Sequence, residues 1–227
     1  MREYGVFDIL GPIMVGPSSS HTAGAARLAK VVRTVAAGKI KKVKFYLHGS
    51  FAKTYKGHGT DKALVAGILG MDPWDDNLKY SIDIAKKQGI EIEFIESDLG
   101  DVHPNTVKFI VTKEDGSITE AVGSSIGGGN IIISEINGKK IEFTGDYPTI
   151  VISHYDIPGM VKKVCEVLYK YNINIAFMRV YRTKGKGSTA FMVFEVDNHV
   201  PNSLLDDVLS IPKIEDAICI NPIAEEA

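Results

Sequence analysis

Residues 147–227 alternate strand-like and helix-like patterns in an order that admits few folds. Residues 149–153 read as a strand, 159–171 as a helix and 173–182 as a strand. Lys184-Gly185-Lys186-Gly187 then reads as a turn, 188–196 as a strand, 203–209 as a helix and 214–220 as a strand. Val161, Val164, Cys165 and Leu168 share one face of the first helix, spaced to cover a sheet. The resulting βαββαβ order predicts the split βαβ, or ferredoxin-like, sandwich.

The preceding part is built differently. Residues 22–37 have helical spacing at Ala26, Leu28, Ala29, Val32 and Val35, with Gly38 to end the helix. A strand is expected at 43–47. A helix follows from Thr60 or Asp61 to Leu69, with Thr60 as N-cap, and another over 77–88, closed by Gly89. From there the pattern switches to strands at 90–95, 106–112, 118–122, 131–135 and 140–143. Glu114-Asp115-Gly116 and Asn137-Gly138 are turns between neighbours. Helices first and strands afterwards predict an α+β chain whose N-terminal α/β domain has an antiparallel or mixed sheet. The two patterns meet near Asp146-Tyr147-Pro148, giving domains of residues 1–146 and 147–227.

At 227 residues, with 44% hydrophobic and 24% charged, the chain can bury one large or two ordinary cores. Its net charge of −2 has no basic stripe of the kind nucleic-acid binding requires, so no nucleic-acid partner is expected. No apolar run approaches the ~18 residues of a membrane span, and Met1-Arg2-Glu3-Tyr4 does not lead into a signal peptide. A cytoplasmic protein without membrane partners is expected. Cys165 and Cys219 lie in apolar periodic segments and read as small core residues. Two thiols do not complete the four-cysteine set of an iron–sulfur cluster. No metal-ligand set is expected in this chain.

Chemistry concentrates in three stretches. In Gly16-Pro17-Ser18-Ser19-Ser20-His21-Thr22, four hydroxyls and an imidazole precede the small residues Ala23-Gly24-Ala25-Ala26. Hydroxyl caps and free N–H groups at a helix start attract a carboxylate or phosphate, with His21 beside it. The same residues also suit an ordinary capped helix. In Gly57-His58-Gly59-Thr60-Asp61, two glycines present an imidazole from a turn, and Asp61 is placed to start the helix or orient a ring. Histidine titrates near neutrality, so His58 suits a general base and equally a solvated loop. In Ser124-Ser125-Ile126-Gly127-Gly128-Gly129-Asn130, three glycines between strands permit close backbone approach, an anion nest or a bulge. His48 and His199 read as packing or surface residues, and Lys39, Lys41, Lys42 and Lys44 as a solvated turn and strand edge.

Together these motifs resemble the iron–sulfur-dependent bacterial L-serine dehydratases (L-serine ammonia-lyases), and His103-Pro104-Asn105-Thr106 is similar to a further family stretch. Many relatives carry proline where Ala25 stands here, a difference of local stiffness more than chemistry. The resemblance is to the beta subunit of the two-subunit form. It implies a lyase active with a cluster-bearing alpha subunit, which would hold a [4Fe–4S] cluster and complete a site converting L-serine to pyruvate and ammonia. It further implies His58 as the base for the α-proton, with His21 as the other catalytic candidate. Ser18, Ser19, Ser20, Thr22, Gly127, Gly128 and Gly129 would then bind substrate.

Residues 148–227 resemble an ACT domain, a small amino-acid-sensing module, through the βαββαβ order, His154-Tyr155-Asp156-Ile157-Pro158-Gly159 and Asn172-Ile173-Asn174-Ile175. The resemblance implies an effector site at His154, Asp156, Pro158, Gly159 and Asn174, and ACT-mediated homo-association. Serine-binding relatives often carry asparagine in place of Asp156. A pure assembly role suits the same residues. Similar first domains, called allosteric substrate-binding domains, accompany ACT domains in some phosphoglycerate dehydrogenases. The runner-up is therefore a non-catalytic amino-acid-sensing regulatory subunit of serine metabolism, and an ACT-mediated scaffold ranks below both.

Overall fold

The computed structural model describes residues 13–182 and 188–220, so the turn expected at Lys184-Gly185-Lys186-Gly187 lies outside the described residues. The chain forms two compact units, Met1–Gly138 and Lys139–Ala227.

In the first unit a single π-helical turn, Ser19–Ala23, runs directly into α1, Gly24–Ala36. There follow β1 (Ile40–Leu47), α2 (Gly49–Thr54), α3 (Thr60–Ile68), a 3-10 turn (Asp76–Tyr80) and α4 (Ser81–Lys87). Strands β2 (Glu91–Glu96), β3 (Thr106–Lys113), β4 (Ile118–Gly127) and β5 (Asn130–Ile136) come next, in the sheet order β2-β1-β3-β4-β5, and β6 (Lys139–Phe143) opens the second unit. β1 and β2 are parallel, whereas β1–β3, β3–β4 and β4–β5 are antiparallel, so the sheet is mixed. Phe45 of β1 stacks on Phe94 at 5.0 Å and meets Phe109 edge-on at 5.5 Å. α1 is packed on two sides. Leu28 presses on Gly123 of β4, and Ala26 and Ala29 press on Gly67 of α3 so tightly that a Cβ there would sit 2.2 Å from the Ala26 carbonyl oxygen. Small residues on both helices permit this approach, and it fixes the start of α1 beside β4.

Several local expectations change. The N-cap of α3 is Gly59, in the left-handed region at φ 69°, and Thr60 lies inside the helix with its hydroxyl buried. Residues 77–88 are not one helix: Asp75 caps a 3-10 turn before α4 begins. α2 has six residues, too few to show a period. β4 runs past the expected 118–122, through Ser124 and Ser125 to Gly127, and the glycine run is a hairpin corner with a register shift between Ser125 and Gly127. β2, not β1, is the sheet edge, and Lys42 and Lys44 ion-pair across to Glu93 at 3.8 and 3.5 Å.

In the second unit β7 (Thr149–Tyr155), α5 (Met160–Lys170), β8 (Ile175–Arg182), β9 (Thr189–Val196), α6 (Asn202–Leu209) and β10 (Ile214–Ile220) form an antiparallel sheet of order β10-β7-β9-β8. This is the predicted βαββαβ sandwich. Ile150, Ile152, Met192 and Phe194 meet Met160, Val164 and Leu168 of α5 and Leu204 and Val208 of α6. Met160 leads the buried stripe, with Val161 and Cys165 partly buried beside it. Burial pushes the Cys219 thiol up to about 11 and raises that of Cys165, so both act as neutral packing groups. The buried Glu195 carboxylate accepts the N–H and hydroxyl of Thr144 at 3.0 and 2.9 Å, and Arg179 stands 3.7 Å away. These partners offset its desolvation.

Candidate active site

The serine run folds back on itself. Ser18 is extended, at φ −144°, and its hydroxyl accepts the His21 N–H at 3.1 Å, as an N-cap should. The Thr22 N–H donates to the Ser18 carbonyl at 2.8 Å, and the Gly24 N–H donates to that of Ser19. That wider turn aims the His21 ring across the unit, where hydroxyls flank both of its nitrogens. Nδ1 lies 3.2 Å from Ser20 Oγ and 3.5 Å from Ser18 Oγ, and Nε2 lies 3.1 Å from Ser50 Oγ. Burial, then the neighbouring His58, hold the His21 pKa below the ordinary imidazole value. Near neutral pH the ring is uncharged.

His58 meets that ring edge-on, with centroids 4.9 Å apart, and Phe51 stands on His21 at 5.1 Å. The turn carrying His58 is pinned through its backbone. His58 N–H donates to the Thr54 carbonyl at 3.1 Å, and its own carbonyl accepts the Thr22 hydroxyl at 3.3 Å. The His58 side chain is exposed. The two imidazoles, 37 positions apart in sequence, thus form one cluster: one ring enclosed by hydroxyls, the other open. Asp61 is half-buried and accepts the Lys62 N–H at 2.8 Å instead of orienting a ring; burial raises its pKa.

The glycine motif joins the cluster through Ser125, whose buried hydroxyl packs against Gly24 so closely that a Cβ there would lie 2.0 Å from Oγ. Gly127, Gly128 and Gly129 all have positive φ, turning β4 into β5. Arg27 of α1 donates to the Gly129 carbonyl at 3.1 Å, tying the corner to the helix that follows the serine run.

The motifs omit one contributor, Ser50, and leave two others, Asn105 and Ser125, without a role. Ser50 follows Gly49, whose φ of 56° and approach to Pro104 leave no room for a side chain, and the Ser50 N–H donates to the Pro104 carbonyl at 2.8 Å. Asn105 accepts the Ser125 N–H through its carbonyl at 3.0 Å, and its own side-chain Oδ1 is buried without a partner. Ser125, inside the glycine motif, also has a buried Oγ without a partner. A glycine before a serine signals a turn, and nothing in that dipeptide names the imidazole it will reach. His48 bridges loops, with Nδ1 accepting the Leu99 N–H at 3.1 Å.

Cys165 and Cys219 both lie in the second unit, and the described residues contain no group of three or more His, Cys, Asp or Glu placed to hold a metal. The His21–His58 cluster offers hydroxyls and imidazoles but no thiolate, a donor set that does not fit an iron–sulfur cluster. No helix of the described residues is long and apolar enough to cross a membrane.

In the second unit His154 is 3% exposed; its Nδ1 bonds the Tyr155 carbonyl at 2.7 Å and its buried Nε2 has no partner. Asp156 is engaged by Arg182, Nε to Oδ2 at 2.5 Å. Gly159, at φ 89°, caps α5, and Pro158 beside it is exposed. Asn174 is not brought to this group. Its amide donates to Asp197 at 2.6 Å at the opposite end of the sheet, where Ile175 pairs with Val196, whereas Arg182 and His154 both pair with Ala190. The length of β8 separates the two ends by roughly 25 Å. The chain turns at Asn172, φ 54°, beyond the C-terminus of α5, so β8 starts where α5 ends.

Residues 5–91 match the serine dehydratase beta chain family and residues 149–213 match the ACT domain family. The chain is 44% identical over 214 residues to the probable L-serine dehydratase beta chain of Bacillus subtilis, covering 94% of this chain and 96% of that one. It is 42% identical over 218 residues to the L-serine dehydratase beta chain of Peptoniphilus asaccharolyticus, covering 96% and 98%. A D-3-phosphoglycerate dehydrogenase of Methanocaldococcus jannaschii is 30% identical across 87% of this chain, over 37% of its own length. With full-length likeness to two such chains, this protein belongs to the serine dehydratase beta chain family and carries an ACT domain.

Proposed function

We propose that this chain supplies the base and substrate-binding half of a site that converts L-serine to pyruvate and ammonia, completed by a cluster-bearing alpha subunit. The observation that carries the reading is the imidazole pair at 4.9 Å, one ring open and the other enclosed. His58 is the exposed member, so its ring takes the substrate α-proton. His21 has hydroxyls at both nitrogens and stays neutral, so it backs His58 without competing for that proton. Ser18, Ser19, Ser20 and Thr22, with the Gly127–Gly129 corner, line the side toward the substrate carboxylate. Ser18, Ser20 and Thr22 commit their hydroxyls to the cluster itself, which leaves Ser19 and the corner as the freer donors. A [4Fe–4S] cluster held by the alpha subunit would supply Lewis acidity at the leaving hydroxyl.

The ACT unit serves as sensor and association surface. β8 is a sheet edge with Phe177, Met178 and Val180 52, 46 and 50% exposed, an apolar strand suited to a second copy of itself. Because Asn174 lies far from His154, Asp156, Pro158 and Gly159, an effector contacting all five bridges two copies. The likeness to a D-3-phosphoglycerate dehydrogenase supports the runner-up, an amino-acid-sensing regulatory subunit.

The test is anaerobic co-expression with the cysteine-bearing partner in the cytoplasm of a bacterial host. Pyruvate formed from serine only when both chains are present supports the lyase reading. Full turnover by the partner alone, with this chain altering only its response to amino acids, supports the regulator.

A further inference from the structure

We infer that Ser50 is a positioning residue for the imidazole pair, fixing the tautomer and tilt of His21 and through it the ring of His58. The inference rests on the reading of His58 as base. Ser50 Oγ lies 3.1 Å from His21 Nε2 and comes from a different element, 29 residues away. On the other side of the ring, the Ser18 hydroxyl already accepts the His21 N–H and lies 3.4 Å from Ser20 Oγ, so the Nδ1 partners form a coupled hydroxyl group. A neutral imidazole donates from one nitrogen and accepts at the other, and a hydroxyl can do either. The tautomer is therefore chosen where the hydroxyl is least able to adapt.

That place is Ser50. The left-handed Gly49, its contact with Pro104 and the Ser50 N–H bond to the Pro104 carbonyl fix the backbone, and the Ser50 carbonyl accepts the Thr54 hydroxyl at 2.8 Å. The Ser50 Cα is thereby held in place beside His21, and the freedom that remains is χ1 and the hydroxyl rotor of a side chain whose Oγ meets Nε2. The groups against the His21 ring are then the Phe51 ring, the three serine hydroxyls and His58, the titratable member of the set. With Ser50 in place, His21 presents one fixed edge to His58. Without it, Nε2 loses its partner and the ring is free to change tautomer or tilt.

The experiment has two arms. In the full chain alone, long-range proton–nitrogen spectra of His21 near neutral pH are expected to show a single neutral tautomer. Ser50→Ala is expected to give averaged or exchanged ring shifts, and Ser50→Thr, which keeps the hydroxyl, to restore the single form. An unchanged tautomer in Ser50→Ala overturns the inference; should that variant not fold, averaged His21 shifts in the unsubstituted chain overturn it equally. In the complex, Ser50→Ala is expected to lower kcat roughly 10-fold with KM little changed and to move the acid limb of the pH profile. A profile that does not move contradicts the inference. The spectroscopic arm needs neither cluster nor turnover, so absence of deamination by the unsubstituted complex defeats the proposed function without touching the His21–Ser50 result.

Discussion

Gly24 and Ser125 occupy one another's space: a Cβ on Gly24 would lie 2.0 Å from Ser125 Oγ and 2.9 Å from its Cβ. This contact joins the start of α1 to the strand that ends in the glycine corner, and it explains why the helix after the serine run begins with so little side-chain bulk.

Gly24→Ala is therefore expected to cost about 1–3 kcal/mol by overpacking, despite alanine's better helix propensity. Ser125→Gly in the same chain removes both clashing atoms and is expected to recover most of the loss. Denaturant unfolding of the two singles and the double gives the coupling directly. Additive effects would show that the two residues do not share the space.

Gly67 poses a similar contest in α3. Alanine in a helix interior gains about 0.5–1 kcal/mol over glycine. Here its Cβ would meet the Ala26 carbonyl oxygen at 2.2 Å, a backbone atom that cannot rotate away. Overpacking at roughly 1–3 kcal/mol wins, so Gly67→Ala is expected to lower the unfolding midpoint.

How far the sequence reveals this molecule varies by element. The βαββαβ order was legible because each element is long enough to show its period. Helices preceding strands left the sheet antiparallel or mixed, and the parallel β1–β2 pair makes it mixed. The three motifs were visible as places where ordinary packing residues give way to hydroxyls, imidazoles and glycines. Their meeting was not visible, since it depends on α1 and α3 packing through Ala26, Ala29 and Gly67. Ser50 lay outside the motifs because α2 has no period of its own and its role is set by Pro104, more than fifty positions later. Asn174 was grouped with His154 on resemblance, and the antiparallel register places them at opposite ends of the sheet.

The enclosure of His21 has a consequence for stability. Its folded pKa lies below the unfolded value of about 6.5, so the unfolded chain takes up the proton first as pH falls. Stability is expected to be full above pH 6.5 and to decline on acidification through and below that value. The raised pKa of Asp61 acts the other way at lower pH, because protonating a buried carboxyl relieves its desolvation. His21→Gln is expected to flatten the decline just below pH 6.5, seen in unfolding midpoints between pH 5 and 8. An unchanged slope would mean that His21 does not titrate differently in the folded chain.

The exposed face of β8 predicts association. Val180→Asp places a charge on a half-exposed edge residue, so the fold is expected to persist while self-association weakens. Sedimentation velocity of the two chains at equal concentration checks this; identical distributions would place the association surface elsewhere.

The central claim is that His58 removes the substrate proton. His58→Ala in the reconstituted complex, followed by pyruvate formation and by cluster absorbance together, tests it most directly. The account predicts a loss of ~10²–10⁴ in turnover with the cluster spectrum intact. Near-normal turnover by that variant would contradict it.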